Sequence, residues 1–363
     1  MRRLAVAVAL VGTALLPTSA HASAGHWVGA WSASPQSGGP AGSDQSYRLM
    51  VHTSTGGASL RLRFTNRYGA EPLTLRDVTV ALPVSPVRAD VTGVRHVRFA
   101  SGDRVTIPAG GEAVSLPTRF SVPGDAWLAV SFHAPGAHAS TTFHDRAWGV
   151  NFQTAQGSGD HAADASGSAF VMPSFSWTYL TEIDVTAPRS VSTVVAFGDS
   201  ITDFMESVPE GNTRWPDLLD QRFRAEPGGQ RFSVVNAGIN GNEIAEDNGG
   251  TAALGQAGIT RMAWDVFRTP GVSTVILFLG VNDIGRGVPP SRIEAAYRTV
   301  VAAAHRRGIR VLISTVTPTA GTAAGHLTYG TLAGSRDQVN AWIFAHAGLF
   351  DGVLHFGEVV QDP

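Results

Sequence analysis

The chain has 363 residues, 43% of them hydrophobic and 15% charged, with a formal net charge of −2. That is apolar material for two cores of ordinary domain size, and the near-neutral balance lacks the basic field that would hold a nucleic acid. Cysteine is absent and all 27 basic residues are arginine, which excludes disulfides, thiol nucleophiles, thiolate metal sites and lysine-based phosphate or Schiff-base chemistry.

The first residues read as an address. Met1-Arg2-Arg3 carries positive charge, Leu4 to Leu16 is an apolar core, and Pro17 leads to Ala-x-Ala sites at Ala20-His21-Ala22 and Ala22-Ser23-Ala24. This layout predicts a secretory signal peptide over 1–24 and a secreted, extracellular protein beginning near Ser23 or Gly25. The apolar run is too short to span a bilayer, so no integral membrane segment is expected in the mature chain.

Residues 25–186 read as β structure: short alternating runs such as Leu60 to Asn66, Val78 to Leu82 and Trp127 to His133, cut by Pro108-Ala109-Gly110-Gly111 and Pro123-Gly124-Asp125. Strands at this spacing predict an all-β sandwich or jelly roll. His133, His138 and His144, with Asp145 adjacent, invite a metal reading, but neither an H-E-x-x-H helix nor a cysteine partner exists. They are taken as exposed loop histidines, and no metal or cofactor is expected.

After Ala187-Pro188-Arg189-Ser190 the pattern changes, and 190–363 alternate strands with helices. Thr193 to Phe197, Phe232 to Asn236, Ser273 to Leu279 and Arg310 to Thr315 are near-continuous apolar runs, as strands buried on both faces require. Trp215, Leu218, Leu219 and Phe223 share one helical face, and Ile293, Tyr297, Val300, Val301 and Ala304 make another stripe behind Pro290. Further helices are expected within Thr251 to Phe267 and over Arg336 to His346. Alternating units predict an α/β domain with a parallel sheet, whose ligands bind beyond the carboxyl ends of its strands.

Ser200 stands at such an end, in "VAFGDSITDF". Gly198 permits a sharp turn, and a following helix can aim free N–H groups at the serine. "NAGINGNE" (Asn236 to Glu243) follows the second strand and "LGVNDIG" (Leu279 to Gly285) the third, each placing Gly and Asn where their N–H groups can converge beside Ser200. An ester hydrolase needs that convergence around the oxyanion of its tetrahedral intermediate.

"GDSITD", "NAGINGN" and "GVNDI" resemble, in order and spacing, the first three blocks of the SGNH or GDSL hydrolases. "RWPDLL" (Arg214 to Leu219), "WVGAWSASPQ" (Trp27 to Gln36) and "LRLRFTNRYG" (Leu60 to Gly69) resemble a secreted actinobacterial-type subgroup with an N-terminal β domain. The resemblance implies a three-layer, flavodoxin-like hydrolase domain with Ser200 as nucleophile. Its oxyanion hole would comprise the Ser200 N–H, the Gly241 N–H and the Asn282 side chain. Asp199 and Asp203 are read as turn and helix-start residues. Phe204 departs from the glycine the family often has there, and bears on the acyl pocket.

The family's fourth block, Asp-x-x-His, supplies the general base and its orienting acid. No such block follows Asn282; "DGVLHFGEVVQDP" resembles the segment before it, so the hydrolase domain is expected to be cut short at its C-terminus. Among the remaining histidines, His305 and His346 fall in last turns of predicted helices. The other candidates are His326, in a loop beyond the fourth strand, and His355, with Asp351 four residues before it and His355 read as part of the last strand. Two functions follow. One is a serine esterase that forms an acyl-enzyme with a small acyl ester of a carbohydrate or a short-chain lipid. The other is an impaired or non-catalytic secreted binding protein on the same scaffold.

Overall fold

The computed structural model of the protein describes residues 25–138, 141–205, 207–228, 230–247, 252–318 and 333–360. The signal-peptide reading and His326 lie outside these residues.

The N-terminal part is all β. Strand Gly57–Thr65 shows why: Leu60, Leu62 and Phe64 are buried on one face, while Arg61 and Arg63 alternate with them on the other. In the antiparallel neighbour Leu180–Ala187, Val185 and Ile183 stand opposite Leu60 and Leu62, and Asp184 and Glu182 opposite Arg61 and Arg63. The two arginines bond these carboxylates at 2.6 and 2.8 Å, so the polar face pairs across the strands as cleanly as the apolar one. His26–Ser32, Leu180–Ala187, Gly57–Thr65 and Glu112–Val114 follow one another in this sheet. A second antiparallel sheet contains Gly42–Thr53, Ala126–His138 and Leu73–Pro83, and its Leu49, Val51, Val80, Leu128, Val130 and Phe132 share one core with the first.

The C-terminal part has five parallel strands among the described residues: β1 (Ser192–Gly198), β2 (Phe232–Gly238), β3 (Val272–Phe278), β4 (Arg310–Ser314) and β5 (Gly352–Leu354), in the order β2-β1-β3-β4-β5. One face of the sheet is covered by α3 (Gly258–Asp265), α5 (Pro290–His305) and α6 (Ala333–Ala345). The other packs Val194, Ala196, Val234 and Ile276 against Trp215, Leu219 and Phe223 of α2 (Trp215–Ala225). Three short helices follow strand ends directly: α1 (Ser200–Asp203) after β1, α4 (Val281–Gly285) after β3, and α7 (Phe356–Val359) after β5. This is a three-layer α/β sheet with the strand order of flavodoxin-like folds.

Several expectations are corrected. Leu218 is exposed rather than on the packed face of α2. The helix expected within the Thr251 to Phe267 window is there as α3, in its second half, with Gly255 left-handed at φ +74° just before it. His355 is not in the last strand but follows β5, at the start of α7. The three β-part histidines are not free loop residues either: His133 is buried against Asp44 (2.9 Å), His138 meets the Tyr47 hydroxyl (2.9 Å), and His144 is buried against Asp203 (3.0 Å). His133 and His138 take their partners from the neighbouring strand Gly42–Thr53 and His144 from helix α1, which loop spacing could not reveal.

The two parts are joined along the first strand of the chain. The Gly29 N–H donates to Thr193 Oγ1 (3.0 Å), Ser233 Oγ to the Gly29 carbonyl (2.6 Å), and Ser32 Oγ to the Asn236 carbonyl (2.7 Å). Small hydroxyl residues on β1 and β2 therefore seat a β-part strand beside the parallel sheet.

Candidate active site

The carboxyl ends of β1, β2 and β3 carry the three sequence blocks side by side. β1 ends at Gly198, where a side chain would need to stand 1.9 Å from Thr202 Oγ1; only glycine lets α1 fold back so closely. The Asp199 side chain then caps the helix, accepting from the Ile201 N–H at 3.0 Å. Ser200 follows as the first helical residue and is 8% exposed. Asp199 fits its expected turn role, with an added property. Its second carboxyl oxygen is buried without a partner among the described residues, and burial pushes the group up to about 7.

Beyond β2, Asn236 organises the second block. Its amide donates to the Thr202 carbonyl of α1 (2.7 Å) and its oxygen accepts from the Gly238 N–H (2.8 Å). Gly241 adopts φ +71°, the left-handed conformation that turns the backbone before Asn242. Asn242 is fully buried and donates to the Leu254 and Gln256 carbonyls, both at 2.9 Å.

Beyond β3, Asn282 and Asp283 reach toward the same loop. Asn282 Nδ2 donates to the Asn242 carbonyl at 3.1 Å, which fixes the amide against the residue following Gly241. Asp283 accepts from the Ile244 and Ala245 N–H groups, each at 2.9 Å, and burial pushes its carboxyl up to about 6. The segments that carry Ser200, Gly241 and Asn282 are thus tied in sequence, α1 to the β2 loop through Asn236 and that loop to α4 through Asn282.

Two groups that sequence reading passed over hold this arrangement. Arg261 of α3 is buried and forks into four partners of the site: Gly198 O (2.8 Å), Ala237 O (2.8 Å), Asn242 Oδ1 (2.9 Å) and Ser34 Oγ (3.2 Å), with Asp265 at 2.9 Å as its counter-ion. The available signal was the Arg261–Asp265 spacing of one helical turn on an otherwise apolar helix. Asp203 lies in the first turn of α1, as expected of a helix-start residue, and in addition binds His144 through one oxygen and the Asn240 N–H (3.1 Å) through the other.

The candidate bases are placed elsewhere. Asp351 bonds His305 at 2.8 Å and accepts from the Val311 N–H, so it does not orient His355. His355 is largely exposed, 3.8 Å from Glu358. The reason is local: Asp351 precedes β5 while His355 follows it, at opposite ends of the strand. His346 Nδ1 faces the Trp342 carbonyl within its own helix turn (2.9 Å). Among the described residues, no imidazole lies within hydrogen-bond distance of Ser200 Oγ, no group of three His, Asp or Glu side chains is arranged to hold a metal ion, and no helix is long and apolar enough to cross a membrane.

The buried acids give a pH prediction. Asp199 and Asp283 titrate higher in the fold than in the unfolded chain, so the folded state holds more protons between about pH 4 and 7. Their contribution is complete below the unfolded value and is lost as pH rises through the folded one. The urea midpoint is therefore expected to fall between pH 5 and pH 8, and Asp199→Asn, which keeps the cap acceptor, is expected to flatten part of that fall. A midpoint that rises over this range would contradict the assignment.

Residues 196–357 match the model of the GDSL-like lipase/acylhydrolase family. No curated protein matches the chain. Similar solved structures include a protein assigned to the lipolytic G-D-S-L family from Desulfitobacterium hafniense, 24% identical over 47% of this chain and 81% of that one, TM-score 0.36. AlinE4, an SGNH-hydrolase family esterase, is 21% identical over 47% and 80%, TM-score 0.37, and the acetyl xylan esterase AlAXEase 21% identical over 46% and 78%, TM-score 0.33. The match spans the three strand ends just described, from β1 into α7, and through it residues 196–357 are assigned to the GDSL-like lipase/acylhydrolases, a family of ester hydrolases.

Proposed function

We propose that Ser200 is the nucleophile of a secreted esterase that passes through an acyl-enzyme on a small acyl ester, of a carbohydrate or a short-chain lipid. The observation that carries this reading is the packing of α1, the Gly241 turn and the Asn282 amide against one another. It supports an oxyanion hole made of the Ser200 and Gly241 N–H groups and Asn282 Nδ2. When Ser200 Oγ bonds the acyl carbon, the carbonyl oxygen gains the charge these donors meet. The hydroxyl proton passes to a base and then to the leaving alcohol, and water repeats the sequence to release the acid. Phe204 packs on Trp148 (ring centroids 5.0 Å apart) one turn from Ser200, and such bulk favours a short acyl chain.

Asn282→Ala is expected to lower turnover roughly 10²–10³-fold through loss of one donor, with a smaller change in KM. The direct test of the reading is covalent labelling by a serine-reactive phosphonate followed by peptide mapping. The label is expected on Ser200; a label on another serine would overturn the assignment. A non-catalytic binding protein remains the second reading, favoured by the absence of an imidazole at Ser200 Oγ among the described residues. Tight saturable binding of acyl sugars with neither turnover nor labelling would select it.

A further inference from the structure

The partners of His144 define its protonation by geometry. Nδ1 lies 2.8 Å from the Ser34 carbonyl, which can only accept, so Nδ1 must carry a proton. Nε2 lies 3.0 Å from Asp203 Oδ1, while Asp203 Oδ2 already accepts from the Asn240 N–H. An ionised Asp203 therefore requires a second proton on the ring. The pair is almost completely buried, with 3% of each side chain exposed, and the Trp177 ring lies 5.5 Å from the imidazole. The charged groups facing it are Asp203 from α1 and, repulsively, Arg214 from the segment before α2; Asp145, next in sequence, turns toward Arg146. Burial alone would discharge His144, but Asp203 and the two hydrogen bonds hold it above the ordinary imidazole range.

The connection matters because of where Asp203 stands. It is one helical turn beyond Ser200, and its other oxygen holds the N–H immediately before Gly241. His144 belongs to the β part, on strand Thr141–His144. A single carboxylate thus ties the β part to both α1 and the Gly241 turn. We propose that His144 is a positioning residue, kept as an imidazolium, through which the β part holds Asp203 and thereby the Asn240–Gly241 turn in donor geometry. The proposal rests on the reading of Gly241 as an oxyanion donor for its meaning in catalysis, but not for its test.

Two measurements on the full chain decide it. Long-range ¹H–¹⁵N spectra of ¹⁵N-histidine protein, followed over pH, are expected to keep both His144 ring nitrogens protonated above the pH at which an unperturbed imidazole loses its proton, about 6.5. A neutral His144 ring at that pH overturns the proposal. Amide exchange of residues 236–242, corrected for intrinsic base catalysis, is expected to rise on the order of 10-fold as pH is carried through the His144 titration, while the core strand 128–132 stays protected. His144→Gln should exchange fast in 236–242 at every pH. Should that variant fail to fold, the wild-type pH series decides alone: protection of 236–242 that is unmoved through the titration overturns the proposal. Neither readout needs turnover, so failure of the Ser200 assignment, read by labelling, and failure of this one are distinguishable.

Discussion

Ser200→Ala is expected to reduce ester hydrolysis roughly 10⁴–10⁶-fold with no change in the urea midpoint. The substitution removes one oxygen and leaves the backbone N–H at the start of α1, so the proposed oxyanion donors stay in place and the loss isolates covalent attack. Stability should hold because Asp199 caps the helix through the Ile201 N–H and Thr202 anchors it to Asn236, neither of which involves the serine hydroxyl. Hydrolysis of p-nitrophenyl acetate measures the effect. Equal rates for the serine and alanine forms would remove Ser200 from the mechanism. The variants His326→Ala and His355→Ala, assayed alongside, show whether either histidine serves as its base.

The parallel sheet was legible because burial on both faces forces continuous apolar runs, and β1 to β4 each carry one. The three strand-end blocks were legible for a related reason: glycine and asparagine are required by backbone geometry at Gly198 and Gly241, and such demands leave a local mark. Arg261 and His144 left almost none. Each acts by joining segments far apart in sequence, Arg261 reaching Ser34 across 227 positions and His144 reaching Asp203 across 59, and spacing along one chain does not encode that meeting. His133 and His144 were misjudged for the same cause, since a polar side chain at a strand end reads as exposed until its buried partner is known. Asp351 and His355 err in the opposite sense. Closeness in sequence suggested a pair, yet the three residues of β5 carry them to opposite ends of a strand and give Asp351 to His305 instead.

Arg261→Met is expected to destabilise the protein by about 3–5 kcal/mol, the range for breaking a buried charge pair from one side. The guanidinium lies over the Phe197 ring, 4.2 Å from its centroid, so methionine restores part of the packing and the loss falls on the polar contacts. Four acceptors lose their donor at once, and Asp265, 6% exposed on its side chain, becomes an uncompensated buried carboxylate. Arg261→Lys should recover only part of the loss, because an ammonium cannot span the Gly198 carbonyl, the Ala237 carbonyl and Asn242 with a planar fork. The double substitution Arg261→Met with Asp265→Leu should be more stable than the single one, since it removes the stranded charge as well as its partner. Urea denaturation of the four chains orders them: wild type first, then the lysine form and the double variant, with Arg261→Met last. A single-variant cost below about 1 kcal/mol would show that the ends of β1 and β2 are held without Arg261. The same ordering should appear in the Gly241 turn. Asn242 Oδ1 is one of the four acceptors, and the Asn242 carbonyl receives Asn282, so loosening Arg261 moves the proposed oxyanion donor, which it never touches.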